Sequence, residues 1–349
     1  MLSPNRHPIV EADLDRILAS PLPWERFAGT TVLVAGAAGF LSAYVVETLL
    51  RLNETARQEP VRVLALARRA DALRERFKAH GDRSDLRFLV QDVRTPVEVA
   101  GPIHFVVHGA SPATPREFGR DPLATFEANV AGTRVLLDLR PPEGFLFLSS
   151  GEVYGLGNDQ VIPTHENAYG YLDPTLVRSC YGEGKRAGET LCALHAAQGG
   201  IRTTMARIFH TYGPGMPLGD GRVFTDFVAD VLARRDLVMR SAGTASRAFC
   251  YLADTVAGFF TILLRGEAAT PYNVGNDSAE MSVRDLAALL AGLDPSLGLK
   301  VRREAAEGDT YLPSPIQRGC PDVTRLRNLG WEPRTGPEEG FRRTIRSYQ

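Results

Sequence analysis

Two side chains four residues apart, Tyr181 and Lys185, carry the most readable chemistry of this chain. They lie in Ser179-Cys180-Tyr181-Gly182-Glu183-Gly184-Lys185, which reads as helix, so they share one face a turn apart. A phenol ionises near pH ~10 and is a poor base at neutral pH. A neighbouring ammonium favours the phenolate, so Lys185 is expected to lower the value for Tyr181. Such a pair can take a proton from a hydroxyl as a hydride leaves the same carbon. Alone the pattern is weak, because Tyr-x-x-x-Lys is common on solvated helix faces.

A hydride needs an acceptor, and the chain carries a turn suited to one. Gly36-Ala37-Ala38-Gly39-Phe40-Leu41-Ser42 follows an apolar strand and opens a helix. Glycines there permit a tight turn and close approach of a pyrophosphate, which the helix N-terminus favours electrostatically. Gly36, Ala38, Gly39, Phe40 and Leu41 are the candidate contacts. Ser42 stands where a third glycine is usual, and serine is small enough for helix–strand packing. NAD enzymes usually end their second strand with an acid that binds the ribose hydroxyls. Here that place reads Ala67-Arg68-Arg69. Arg68 and its neighbour either accept the extra phosphate of NADP or are solvated charges, so NAD is expected with NADP left open.

The elements that must position these groups alternate along the chain. Strands are expected at 31–35, 61–66, 86–90, 104–108 and 145–149, and helices near 40–52, 71–78 and 122–139. Near-continuous apolar strands between helices indicate a parallel sheet covered on both faces. The expected fold is α/β, a doubly wound Rossmann-type sheet with a smaller mixed α/β substrate-binding lobe. We expect a helical lead segment at 1–28, a dinucleotide-binding domain at 29–211 and a mainly lobe-forming part at 212–349, interwoven with the large domain. Helices at 224–234 and 283–290 belong to the last part. In the lead segment Ile9, Val10, Leu14, Ile17 and Leu18 recur at helical spacing until Pro21 and Pro23. The expectation is an amphipathic helix docked on the body, with a dimer contact or a lid as the minority reading.

Bulk properties exclude several classes. With 349 residues and a formal net charge of -1, nothing suggests nucleic-acid or membrane-surface binding. Apolar runs such as 259–264 are far short of the ~20 residues that cross a bilayer. The N-terminus lacks the apolar core of a signal peptide. Cys180, Cys192, Cys250 and Cys320 have neither metal-type nor disulfide-framework spacing, so no metal is expected and a cytoplasmic setting is.

Further strings now join the set: Gln91-Asp92-Val93, Ala110-Ser111-Pro112-Ala113, Ser149-Ser150-Gly151-Glu152-Val153-Tyr154-Gly155, Arg178-Ser179-Cys180-Tyr181 and Gly184-Lys185-Arg186 with Glu189-Thr190-Leu191-Cys192. Ala206-Arg207-Ile208-Phe209-His210-Thr211-Tyr212-Gly213-Pro214, Asp220-Gly221-Arg222-Val223 and Leu329-Gly330-Trp331-Glu332-Pro333 complete it. From about Thr31 to Ile345 the chain resembles the extended short-chain dehydrogenase/reductase family, the NAD-dependent nucleotide-sugar epimerases and dehydratases. Within that family it looks most like the UDP-glucuronate decarboxylase (UDP-xylose synthase) branch.

The resemblance implies a role for each matching residue. Tyr181 is the expected catalytic base, with Lys185 lowering its pKa and holding the nicotinamide ribose, and Ser150 bonding the reacting hydroxyl. Asp92 and Val93 are expected to border the adenine, and Ala110 and Ser111 to line the cofactor. Arg222, Val223 and Arg247 fall where the family holds the nucleotide diphosphate, and an arginine suits phosphate by charge and fork geometry.

Glu152 and Gly151 bear on the fate of the sugar once C4 is oxidised. The family's dehydratases carry an Asp-Glu pair after the Ser/Thr, and Gly151 takes the aspartate's place, which removes the obvious proton donor for loss of water. A decarboxylase pattern keeps the glutamate, so Glu152 joins the catalytic candidates, against a plain capping carboxylate. Three departures from that pattern stand out: Gly151 for a serine, Gly182 for an acid, and His210 for an asparagine that contacts substrate. His210 is therefore read as a substrate-binding residue, and His108 as structural.

The leading expectation is a UDP-glucuronate-like substrate, oxidised at C4 and decarboxylated before the hydride returns. A 4-epimerase, a 4,6-dehydratase and a non-catalytic dinucleotide-binding regulator are the alternatives. A homodimer through the Tyr-Lys helix is also expected, with Ala187, Leu191, Leu194 and His195 as its surface.

Overall fold

A computed structural model describes residues 7–114, 119–156, 162–304 and 317–349. The first six residues of the lead segment and 305–316 of the lobe lie outside the described residues. Helix α1 (Pro8–Leu18) opens on His7, whose side chain accepts from the Ile9 amide at 3.2 Å. Then come β1 (Thr31–Ala35), α2 (Phe40–Thr55), β2 (Arg62–Ala67), α3 (Ala70–Arg76), β3 (Leu86–Val90), β4 (Phe105–His108), α4 (Pro122–Leu137), β5 (Gly144–Ser150), α5 (Ser179–Gly199) and β6 (Thr203–Ile208). The second half has β7 (His210–Tyr212), α6 (Val223–Leu232), β8 (Leu237–Met239), β9 (Ser246–Tyr251), α7 (Leu252–Arg265), β10 (Thr270–Val274), β11 (Glu280–Ser282), α8 (Val283–Gly292), β12 (Val301–Arg303), β13 (Arg318–Gly319), α9 (Thr324–Arg327) and α10 (Pro337–Arg346).

Seven strands form one parallel sheet in the order β10-β6-β5-β4-β1-β2-β3. Every residue of β1 is buried, which is why it reads as a continuous apolar run. The chain leaves β1 toward β2 and β3, then returns on the other side of β1 as β4. Strand order therefore reverses between β1 and β4, and ligands of such sheets bind outside the carboxyl ends at that point. The expected α/β fold is the observed one.

The smaller lobe holds a sheet ordered β11-β9-β13, with β7 also paired to β9, and a separate β8–β12 pair. The expected boundary at residue 211 falls inside β7. Strand β10 then rejoins the large sheet, and α7 packs on β5 and β6, so the two parts are interwoven through 252–274.

The lead helix docks on the body, against α2 and α7. Val10, Leu14 and Ile17 supply the apolar contact, and Asp13 sits fully buried among them. Its carboxylate accepts from Tyr251 Oη at 2.6 Å, Tyr44 Oη at 3.2 Å and Arg343 Nη2 at 2.6 Å. One side chain thus ties the lead helix to the dinucleotide domain and to α10. Removing it leaves two hydroxyls and a guanidinium unpaired, so Asp13→Ala should cost about 2–4 kcal/mol. The exposed Asp15–Arg51 pair at 2.7 Å gives the control. Asp15→Ala should cost under ~1 kcal/mol in the same denaturant titration, and equal losses would contradict the account.

Candidate active site

At the switch point the glycine turn meets the end of β4. The amides of Gly36 and Ala37 both donate to the Leu66 carbonyl, at 2.8 and 3.0 Å, which locks the turn against β2. Gly36 has φ +77°, and a Cβ there would lie 2.7 Å from the Gly109 carbonyl carbon. Only glycine fits. Gly39 caps α2 with extended backbone and no side-chain acceptor, leaving the first amides of the helix for an anion. These features fit a pyrophosphate-bearing dinucleotide. Ser42 is accommodated by Gly109, since a Cβ at 109 would come 2.2 Å from the Ser42 hydroxyl.

The other expected cofactor residues surround this crevice. Ala110 donates its amide to His108 Nδ1 at 3.3 Å. Burial pulls His108 down to about 3, so it is a neutral structural imidazole as expected. Ser111 accepts from Asn129 Nδ2 at 2.8 Å. Val93 is buried against Gly132, and Asp92 is gripped by Arg94 at 2.9 and 3.1 Å. That grip holds the Asp92 carboxyl below its usual range, with a smaller contribution from Arg68.

Catalytic candidates converge at the ends of β5 and α5. Ser150 ends β5 and caps the following turn, its hydroxyl accepting from the Glu152 amide at 3.2 Å. The Tyr181 hydroxyl lies against Ser150. Burial nevertheless pushes the phenol up to about 12, opposed by that Ser150 hydrogen bond and by the Arg222 charge. Lys185 follows one turn further along the same helix. Its Nζ donates to the Leu148 carbonyl at 2.6 Å and sits 4.7 Å from the Phe147 ring centroid. The amine is 5.6 Å from the Tyr181 ring, and burial pulls it down to about 7.

Glu152 pairs with Arg178 at 3.3 Å, both partly exposed at the mouth of the crevice. Two glycines beside it have steric reasons. A Cβ at Gly151 would meet the Phe209 ring at 3.3 Å, and one at Gly182 would lie 2.9 Å from Leu172. These two departures from the family pattern each have a neighbour close to where a side chain would go.

The small lobe supplies cations. Arg222 caps α6, bonded to Asp220 at 2.9 Å and lying 4.8 Å from the Phe224 ring centroid. Its charge reaches both Tyr181 and His210. Arg247 lies on β9 and donates to the Ser246 carbonyl at 2.7 Å. Burial and the two arginine charges pull His210 down to about 3, and its Nδ1 is buried with no partner among the described residues. Val223, the first residue of α6, is partly buried and packs against the core.

Sequence reasoning quoted Glu189 and Arg207 among the motif strings without giving them a role. Glu189 lies one turn beyond Lys185 and accepts from Arg207 Nε at 2.9 Å and Nη2 at 2.6 Å, and from Ser149 Oγ at 2.6 Å. A charged residue within the apolar β6 was the available signal. Asn129 was a second miss, and Arg178 was quoted without a role. Among the described residues no group of three or more acidic, histidine or cysteine side chains can hold a metal, and no helix is long and apolar enough to cross a membrane.

Known proteins share this arrangement. The profile of the NAD dependent epimerase/dehydratase family matches residues 32–275. UDP-glucuronic acid decarboxylase 5 of Arabidopsis thaliana is 33% identical over 328 residues, 92% of this chain and 91% of the relative. UDP-glucose 4-epimerase of Thermotoga maritima superposes with a TM-score of 0.74 at 24% identity, covering 91% of this chain and 98% of that one. UDP-glucuronic acid 4-epimerase of Bacillus cereus gives 0.72 at 20% identity, over 91% and 98%. These two structures establish the shared fold.

The Lys185 electrostatics have a measurable consequence. A buried amine with a lowered pKa binds fewer protons than the unfolded chain between about 7 and its ordinary value of 10.5. Stability should therefore gain a component as pH rises through that window. Lys185→Met should abolish it, seen as a wild-type-minus-variant difference in denaturant midpoint that grows with pH. A difference independent of pH would show that the amine is solvated.

Proposed function

The chain belongs to the NAD dependent epimerase/dehydratase family, and within it we propose that it oxidises C4 of a UDP-glucuronate-like sugar and decarboxylates it. The observation that carries this reading is the Tyr181–Ser150 contact beside the Glu152–Arg178 pair, with Gly151 standing where a dehydratase has its acid. A nicotinamide dinucleotide held at the Gly36–Ser42 turn would supply the acceptor for the C4 hydride and its source on return. Tyr181 receives the C4 hydroxyl proton, and Ser150 donates a hydrogen bond to the oxygen as it becomes a carbonyl. The product is a β-keto acid whose C5–carboxyl bond breaks with release of carbon dioxide. Its electron pair is left as an enolate that needs a proton at C5, which we assign to Glu152. Tyr181 then returns its proton to the C4 oxygen.

Arg178 recognises the substrate carboxylate in this reading, since it brings a cation to the mouth of the crevice beside Glu152. A neutral hexose offers that cation nothing to bind. Arg222, His210 and Arg247 hold the diphosphate, with His210 as a neutral donor.

Incubation of the protein with UDP-glucuronic acid and dinucleotide tests the proposal by product mass. Carbon dioxide and a UDP-pentose are expected. A product of unchanged mass would mean epimerisation, a loss of ~18 Da would mean dehydration, and either would overturn the proposal. Tyr181→Phe should lower turnover ~10²- to 10⁴-fold without unfolding the protein, whereas a non-catalytic regulator would be indifferent. Arg178→Ala should reduce kcat/KM by ~10- to 100-fold on the uronate.

We also read the protein as a homodimer through α4 and α5. Gly184 and Gly188 let these helices pack closely, and Leu123 and Leu194 are left 66% and 47% exposed. Sedimentation should give twice the chain mass, and Leu194→Glu should shift it to one. A wild-type monomer would contradict the reading.

A further inference from the structure

Arg222 stands at the end of an arm with little regular structure of its own. Residues 213–222 run from the end of β7 to the start of α6, and Arg222 caps that helix. Gly215, Gly219 and Gly221 hold φ of +78°, +71° and +89°. Pro217, Leu218 and Gly219 are exposed, and a Cβ at Gly219 or Gly221 would meet no described residue within 4 Å. Backbone rich in glycine loses more conformational freedom than most when it is ordered. The arm therefore depends on ties from outside it.

Helix α10 and the residues just beyond it supply them. Where β7 hands over to the arm, Tyr212 stacks on Phe341 of α10, with ring centroids 3.8 Å apart and planes 11° from parallel. The approach is close, since a Cβ at Gly340 would run into the Tyr212 hydroxyl. At the middle of the arm the Tyr348 hydroxyl donates to the Met216 carbonyl at 2.5 Å. Burial raises that phenol above its usual range, so the hydroxyl keeps the proton it donates. At the far end Asp220 accepts from Thr225 Oγ1 at 2.8 Å and from Arg222 Nε at 2.9 Å. Helix α10 is itself fixed on the lead helix, through Arg343 and Asp13. Tyr348 thus grips the arm midway between its two ends, just before its exposed stretch.

We propose that Tyr348 is a positioning residue for substrate binding, holding the Met216 carbonyl so that the arm presents Arg222 to the diphosphate of a nucleotide sugar. An arm ordered beforehand gives up less entropy when the ligand arrives. This rests on Arg222 as a diphosphate contact, and it goes beyond that reading by assigning a residue that acts only through the arm.

Calorimetric titration with UDP and with NAD⁺, beside steady-state kinetics on UDP-glucuronic acid, tests it. Tyr348→Phe removes one neutral hydrogen bond, so UDP affinity should fall ~2- to 10-fold and KM should rise by a similar factor. The turnover number kcat and NAD⁺ affinity should stay within about twofold, because the lost contact serves ground state and transition state alike. In an Arg222→Ala background the same change should move UDP affinity by less than about twofold, since the residue it positions is gone. Unchanged UDP affinity in Tyr348→Phe would overturn the proposal. So would equal losses for UDP, NAD⁺ and kcat, or an equal UDP loss in both backgrounds. Wild-type protein that fails to bind UDP would overturn the diphosphate reading and this proposal with it. UDP binding with the predicted variant pattern but no UDP-pentose formed would overturn decarboxylation alone and support the role of Tyr348.

Discussion

The active site depends on a buried ion pair that touches no expected substrate, Arg207 with Glu189. Arg207 lies on β6 and Glu189 on α5, and two parallel hydrogen bonds join them inside the protein. Neither charge could be buried alone, because an unpaired ion in that setting costs several kcal/mol. The pair therefore fixes how α5 lies on the sheet. Ser149 donates to the same carboxylate, which draws the end of β5 toward α5 and sets Ser150 against Tyr181. The remaining Arg207 donors reach Tyr154 Oη at 3.1 Å and the Glu166 carbonyl at 2.7 Å, and Tyr154 donates to Asn273 of β10 at 2.5 Å. One network thus registers the catalytic helix, the serine turn and the last strand of the large sheet.

That register explains the electrostatics of the Tyr181–Lys185 face. Helix α5 is pressed down by Glu189 and by its close approach to α4 at Gly184 and Gly188, so Lys185 is drawn into the interior. Its Nζ finds the Leu148 carbonyl, not the phenol. The positive charge near Tyr181 comes instead from Arg222 across the crevice.

Much of this was legible in the chain. Fully buried strands announce themselves as apolar runs, and the glycine turn is a local backbone requirement, visible at Gly36 and confirmed by φ. The Tyr181–Ser150 convergence also came from motif order. What could not be read is long-range. Spacing alone put Lys185 beside Tyr181 but could not say how deep the helix sits, nor that burial would raise the phenol and lower the amine. Asp13 went unremarked, because its partners Tyr251 and Arg343 lie over two hundred residues away in the chain. Gly151, Gly182 and Ser42 read as departures, and only packing reveals Phe209, Leu172 and Gly109 as the reasons.

The central claim is oxidation and re-reduction at one carbon of the sugar, with Tyr181 handling the proton. UDP-glucuronic acid labelled with deuterium at C4, turned over in ordinary water, tests it most directly. The account requires the label to be found at C4 of the UDP-pentose, with hydrogen from solvent at C5. Loss of the C4 label to water, or retention with the carboxylate still in place, would contradict it.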